Sequence, residues 1–179
     1  MQETTGKYKF TYDWFKGNMP FWEKHLLHLK NEKINVLEIG AFEGRSAVWI
    51  LEELFKNPES KLISVDPFEE NFLDEGLNGK NYELTFRENV KKTGKEKQSE
   101  IMKSLPFEAL TKLNYESKIK FDFIYIDGSH IAMNALADAV LAWNLLKDGG
   151  IMTFDDYEWD RYQTWRRNET YPKLVSERF

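Results

Sequence analysis

The chain has no cysteine in its 179 residues. That excludes a disulfide framework and thiolate chemistry, and it suits a reducing, cytoplasmic setting. Positive charge is not in excess either. A net charge of −5 and an isoelectric point near 5.4 argue against a nucleic-acid backbone as the main partner. The local cluster Lys91, Lys92, Lys95 and Lys97 reads as a solvated helix end. No apolar run approaches membrane-spanning length, and the N-terminus lacks the apolar core of a signal peptide. Repeats and low-complexity segments are missing as well. What is present, 41% hydrophobic residues with 15% aromatics, is enough for one sizeable core. The expectation is a soluble cytoplasmic protein of a single domain.

The chain is organised around Val36-Leu37-Glu38-Ile39-Gly40-Ala41-Phe42-Glu43-Gly44. An apolar run enters a glycine turn, and Arg45 to Leu54 then carries apolar residues at helical spacing. This is a strand, a tight turn and a helix start, the opening βα unit of a doubly wound sheet. Gly40 and Gly44 let the chain turn and let a ligand approach the backbone, and the helix start offers free N–H groups. The dinucleotide pattern G-x-G-x-x-G is not met, because Phe42 stands two positions after Gly40. That disfavours a nicotinamide-dependent oxidoreductase. The stretch does match E-x-G-x-x-x-G, and in this it resembles the first motif of the class I S-adenosylmethionine-dependent methyltransferases. Their ligand is a nucleoside without a phosphate, for which a less glycine-rich turn suffices. A plain strand–helix corner is the alternative.

Residues 1–33 are rich in aromatics, with Tyr8, Phe10, Tyr12, Trp14 and Phe15 ahead of a helix. Asn18 is placed to cap that helix and Pro20 lies in its first turn, with Phe21, Trp22, His25, Leu26 and Leu29 following. His25 and His28 read as ordinary helix positions. The segment is expected to dock on the sheet edge, roof a pocket or join two subunits as a homodimer. Pro58 is expected to end the helix after the glycine turn. Lys61 to Asp66 then reads as a short buried strand ending on an acid, where such folds hydrogen-bond a ribose diol; turn chemistry of the Asp66-Pro67 pair is the alternative. Residues 68–80 read as a mobile loop or lid, followed by a helix over 81–92. Ile101-Met102 makes a minimal strand with Ser104 at its end, and Pro106 starts a helix over 107–113.

Phe121 to Asp127 is a near-continuous apolar strand of the kind buried on both faces, ending in Asp127-Gly128-Ser129-His130. A helix over 132–146 is expected to stop at Lys147-Asp148-Gly149-Gly150, before a fifth strand, Ile151 to Phe154, that ends in Asp155-Asp156-Tyr157. Strand tips of a parallel sheet form its ligand crevice, so Asp127, Asp155 and Asp156 should lie close together. Carboxylates gathered without a basic partner repel one another, and a hard divalent cation removes that cost. Helix capping in a wet crevice is the alternative.

I-D-G-S-H followed by G-G-I-x-x-F-D-D-Y resembles the metal-dependent O-methyltransferases that act on small molecules and sugars. The resemblance covers about residues 34–157, with 158–179 a short tail. It implies a Rossmann-like, mostly parallel sheet of order 3-2-1-4-5, lacking the usual C-terminal antiparallel pair. It also implies an S-adenosylmethionine pocket of Glu38, Gly40, Ala41, Phe42, Gly44, Ser46, Asp66, Ser104 and Asp127, with S-adenosylhomocysteine as product. Mg²⁺ would be held by Asp127, Asp155 and Asp156, and would orient an acceptor hydroxyl. His130 stands where catechol-type relatives have a lysine base; its near-neutral pKa suits a general base, while orienting a carboxylate or capping a helix are the alternatives. The expected acceptor is a small molecule or sugar, not a membrane or nucleic acid. The competing class is a fold relative without turnover that binds the nucleoside or a protein partner. A sheet edge left open near the C-terminus would be a second route to a homodimer.

Overall fold

The computed structural model describes residues 6–69, 81–129 and 131–155. Five parallel strands, β1 (Asn35–Ile39), β2 (Lys61–Val65), β3 (Ser99–Met102), β4 (Phe121–Ile126) and β5 (Leu146–Phe154), form one sheet in the order β3-β2-β1-β4-β5. This is the α/β sheet expected from the alternation of strand and helix patterns. The near-continuous apolar runs of β1, β2 and β4 take the three central places, where both faces are covered.

Helices α1 (Met19–Leu26), α2 (Arg45–Trp49) and α3 (Tyr82–Thr93) bury Trp22, Trp49 and Phe86 against Val36, Leu62, Phe123 and Tyr125 on one face. On the other face α4 (Pro106–Glu116) and α5 (Ala132–Trp143) bury Leu110, Leu113 and Ala142 against Leu37, Val65, Ile124 and Ile126. Among the described residues no helix is long and apolar enough to cross a membrane.

Several boundaries differ from the expected ones. After α1 the chain tightens into a 3-10 turn, Leu27–Leu29, instead of continuing as α-helix. After α2 it widens into a π-helical turn, Ile50–Leu54, and Phe55 leaves the helical region three residues before Pro58, so Pro58 is not what stops it. Helix α5 ends at Trp143, and the expected helix stop, 147–150, lies inside β5. The cause is a register shift: Phe121 pairs with Leu146 but Phe123 with Ile151, so extra residues bulge out there. Gly149 takes a left-handed φ of 76° in that bulge, and Lys147 Nζ holds both oxygens of Asp122 at 2.7 and 2.8 Å.

Helix α5 buries its one charged residue. Asp138 is 3% exposed, and its Oδ2 has no hydrogen-bond partner among the described residues. Burial pushes its carboxyl up to about 6. The folded state thus holds this proton more tightly than the unfolded chain does, so the stability it contributes is present at low pH and is lost as pH rises from about 4 through 6. Asp138→Asn removes the titration. In urea melts, wild type should lose up to about 3 kcal/mol relative to this variant between acidic and neutral pH; a constant difference would contradict the account.

Candidate functional site

The glycine turn is held from below by β2. Gly40 and Gly44 have left-handed φ values of 87° and 80°, and so does Phe42, at 45°. A phenylalanine pays for that conformation. Its backbone is fixed by Asp66, whose Oδ2 accepts from Ala41 N at 2.7 Å and from Phe42 N at 2.9 Å. The other oxygen, Oδ1, accepts from Phe68 N at 2.6 Å, the Asp-Pro turn geometry. Glu38 is fully buried beneath the turn and accepts from Ser46 Oγ and, at 2.6 Å, from Ser64 Oγ. Burial pushes its carboxyl up to about 7; the two hydroxyls oppose that shift and the charge of Asp66 adds to it. Ser104, beyond β3, donates to Glu108 Oε2 in the first turn of α4 at 3.0 Å.

The acids meet at the tips of β4 and β5. The ladder runs one residue past each strand, Asp127 N to Ile39 O at 2.7 Å and Asp155 N to Ile126 O at 2.9 Å, which brings both aspartates level with the glycine turn. Tyr125 Oη lies 3.0 Å from Asp127 Oδ2 and 2.5 Å from Asp155 Oδ2. Burial, followed by the charges of Asp127 and Asp155, holds the Tyr125 phenol well above its ordinary range, so it keeps its proton. Asn18 does not cap its own helix; its Nδ2 donates to Asp155 Oδ2 at 2.9 Å. A crevice lined by Ile126, Asp127, Ser129, Ala135, Phe154 and Asp155 opens beside them.

Two of the three expected metal ligands are therefore brought together. The third, Asp156, and the expected base, His130, lie outside the described residues, as do positions 70–80 of the expected lid. Among the described residues no three histidine, aspartate or glutamate side chains form a metal-binding group. The donors that do converge are all oxygen, the kind a hard cation takes.

A model of the methyltransferase domain matches residues 37–157, from β1 through both acidic signatures. The chain belongs to the methyltransferase domain family. This methyltransferase also shares its fold with solved structures. An O-methyltransferase from Bacillus cereus in complex with S-adenosylhomocysteine is 21% identical, with a TM-score of 0.64 over 88% of this chain and 68% of that one. TomG of Streptomyces achromogenes, an O-methyltransferase of tomaymycin synthesis in complex with S-adenosylmethionine, is 15% identical, with a TM-score of 0.63 over 88% and 67%. MycE, a methyltransferase of the mycinamycin pathway in complex with Mg and S-adenosylhomocysteine, is 15% identical, with a TM-score of 0.61 over 93% and 41%. No curated protein matches the chain. Family and fold together make this a methyltransferase.

Two site residues escaped the reading of the sequence. Tyr125 was legible in principle, since it stands two positions before Asp127 on a strand and so shares its face. Asn18 was not, because its partner is 137 residues away.

Proposed function

We propose that this methyltransferase moves the methyl group of S-adenosylmethionine to a hydroxyl of a small molecule or sugar, assisted by a divalent cation. The observation that carries the reading is the convergence of Asp127 and Asp155 on one protonated hydroxyl, beside the glycine turn. Two carboxylates held this close raise the local negative charge, and Mg²⁺ suits an all-oxygen donor set of Asp127, Asp155 and Asp156. The Mg in the MycE structure supports that choice for a fold relative.

The bound donor supplies an electrophilic methyl group on a sulfonium. The protein's part is to align an acceptor oxygen with it and help remove a proton. Gly40, Ala41, Phe42 and Gly44 would seat the nucleoside, with Glu38 and Ser46 bracing the turn from beneath, Asp66 toward the ribose and Ser104 toward the adenine. Asp127 and Asp155 would orient the acceptor hydroxyl, and His130 is the proposed base.

Calorimetric titration with S-adenosylhomocysteine, with and without Mg²⁺, tests this. Wild type should bind the nucleoside, and Asp155→Ala should weaken Mg²⁺ binding by roughly tenfold or more while changing nucleoside affinity little. No nucleoside binding to wild type would end the methyl-donor reading. Unchanged Mg²⁺ affinity in the variant would end the metal reading alone.

A further inference from the structure

The segment ahead of α1 is anchored to the body of the protein by polar contacts along its length. Lys9 N donates to Asn89 Oδ1 at 3.0 Å, and Asn89 Nδ2 donates back to Lys9 O at 2.8 Å. Thr11 donates through its backbone and its hydroxyl to the buried Glu43. Arg45, at the start of α2, donates from Nε to Asp13 Oδ1 at 2.9 Å and lies over the rings of Phe10 and Phe15. Phe10 and Phe15 are buried, yet Tyr12 and Trp14 between them are 42% and 62% exposed.

Those two exposed rings are stacked, with centroids 4.9 Å apart and planes 7° apart. Trp14 continues onto Phe42 of the glycine turn at 5.3 Å, and Phe42 onto Tyr82 at 4.7 Å. A 3-10 turn, Trp14–Gly17, then carries the chain to Asn18 and its hydrogen bond with Asp155. One short segment therefore reaches the glycine turn through the Trp14 ring and the acid pair through the Asn18 amide.

We propose that residues 12–18 form a fixed wall of the acceptor site. A hydroxyl-bearing ring lies on Trp14 and Tyr12 with its hydroxyls turned toward Asp127 and Asp155. The apolar face of such a ring suits an exposed indole, and its edge hydroxyls suit carboxylate acceptors. Anchoring the wall in advance spares the ordering cost when the ligand binds. This assignment rests on the methyl-transfer reading above.

Two probes carry the shared chemistry, catechol for a phenolic source and methyl α-glucopyranoside for a sugar. Each is titrated by calorimetry into protein saturated with S-adenosylhomocysteine, so that no turnover occurs. At least one should bind wild type, and Trp14→Ala should weaken it roughly two- to tenfold. The urea midpoint should stay near the wild-type value in that variant, because Trp14 is largely exposed, and each variant is titrated at a nucleoside concentration that saturates it. Equal binding of any probe that binds, to wild type and to Trp14→Ala, overturns the wall, as does binding of neither while the nucleoside still binds. If the nucleoside itself fails to bind wild type, the methyl-donor reading falls and the wall falls with it.

Discussion

Gly40→Ala should cost this protein a large share of its stability, by about 2–6 kcal/mol, counting left-handed strain and overpacking together. A methyl group there would stand 2.0 Å from Asp127 O, 2.5 Å from its carbonyl carbon and 2.8 Å from Gly128 Cα. All three are backbone atoms, and the backbone cannot step aside. Gly40 N donates to Val65 O at 2.9 Å and Asp127 N to Ile39 O at 2.7 Å, so the glycine is locked between two neighbouring strands. Its φ of 87° adds strain for any side chain. Gly44 makes the control. It is also left-handed, but its methyl group would meet the ring of Phe86 at 2.8 Å, a side chain that can shift. Gly44→Ala should therefore be the milder variant. Urea midpoints followed by circular dichroism separate the two, and equal losses would show that packing against Asp127 is not what makes Gly40 a glycine. Native domains carry only about 5–15 kcal/mol, so Gly40→Ala should also lower the yield of folded protein.

The same turn shows where the sequence was readable. Short-range signals, a strand pattern into Gly40 and helical spacing after Arg45, placed β1 and α2 directly, and the apolar runs placed β2 and β4. Strand order followed from the family resemblance, and the sheet agrees with it. Two kinds of feature were out of reach. One is local geometry set by a distant partner: residues 147–150 look like a helix stop, yet they bulge within β5 at the register shift against β4, where Lys147 pairs with Asp122. The other is a polar side chain diverted from its local use. Asn18 has the chemistry of a helix cap, but its amide serves Asp155 instead. Asp66 goes the opposite way. The local reading, an Asp-Pro turn, is present in full, and its second oxygen also braces Ala41 and Phe42.

Trp22→Ala should cost about 3–5 kcal/mol, the usual range for deleting a large buried aromatic. Trp22 is 2% exposed and meets four rings edge-on or nearly so: Phe15 at 4.6 Å, Tyr125 at 4.7 Å, Phe123 at 5.0 Å and Trp49 at 5.3 Å. These come from the N-terminal segment, from α2 and from β4, so the cavity would open where three parts of the chain meet. The surrounding rings are rigid and held at their own ends, which leaves little room to collapse. The loss should also reach the acid pair, because the ring of Tyr125 that Trp22 supports carries the hydroxyl between Asp127 and Asp155. Trp22→Phe keeps part of the edge contact and should lose less than half as much. Urea midpoints of the two variants give the ranking, and Mg²⁺ titration of the folded Trp22→Phe protein reports on the site. A Trp22→Ala midpoint close to that of wild type would mean the aromatic cluster is not where this fold keeps its stability. Unchanged Mg²⁺ affinity in Trp22→Phe, with the expected midpoint loss, would instead separate the packing of Tyr125 from the chemistry at its hydroxyl.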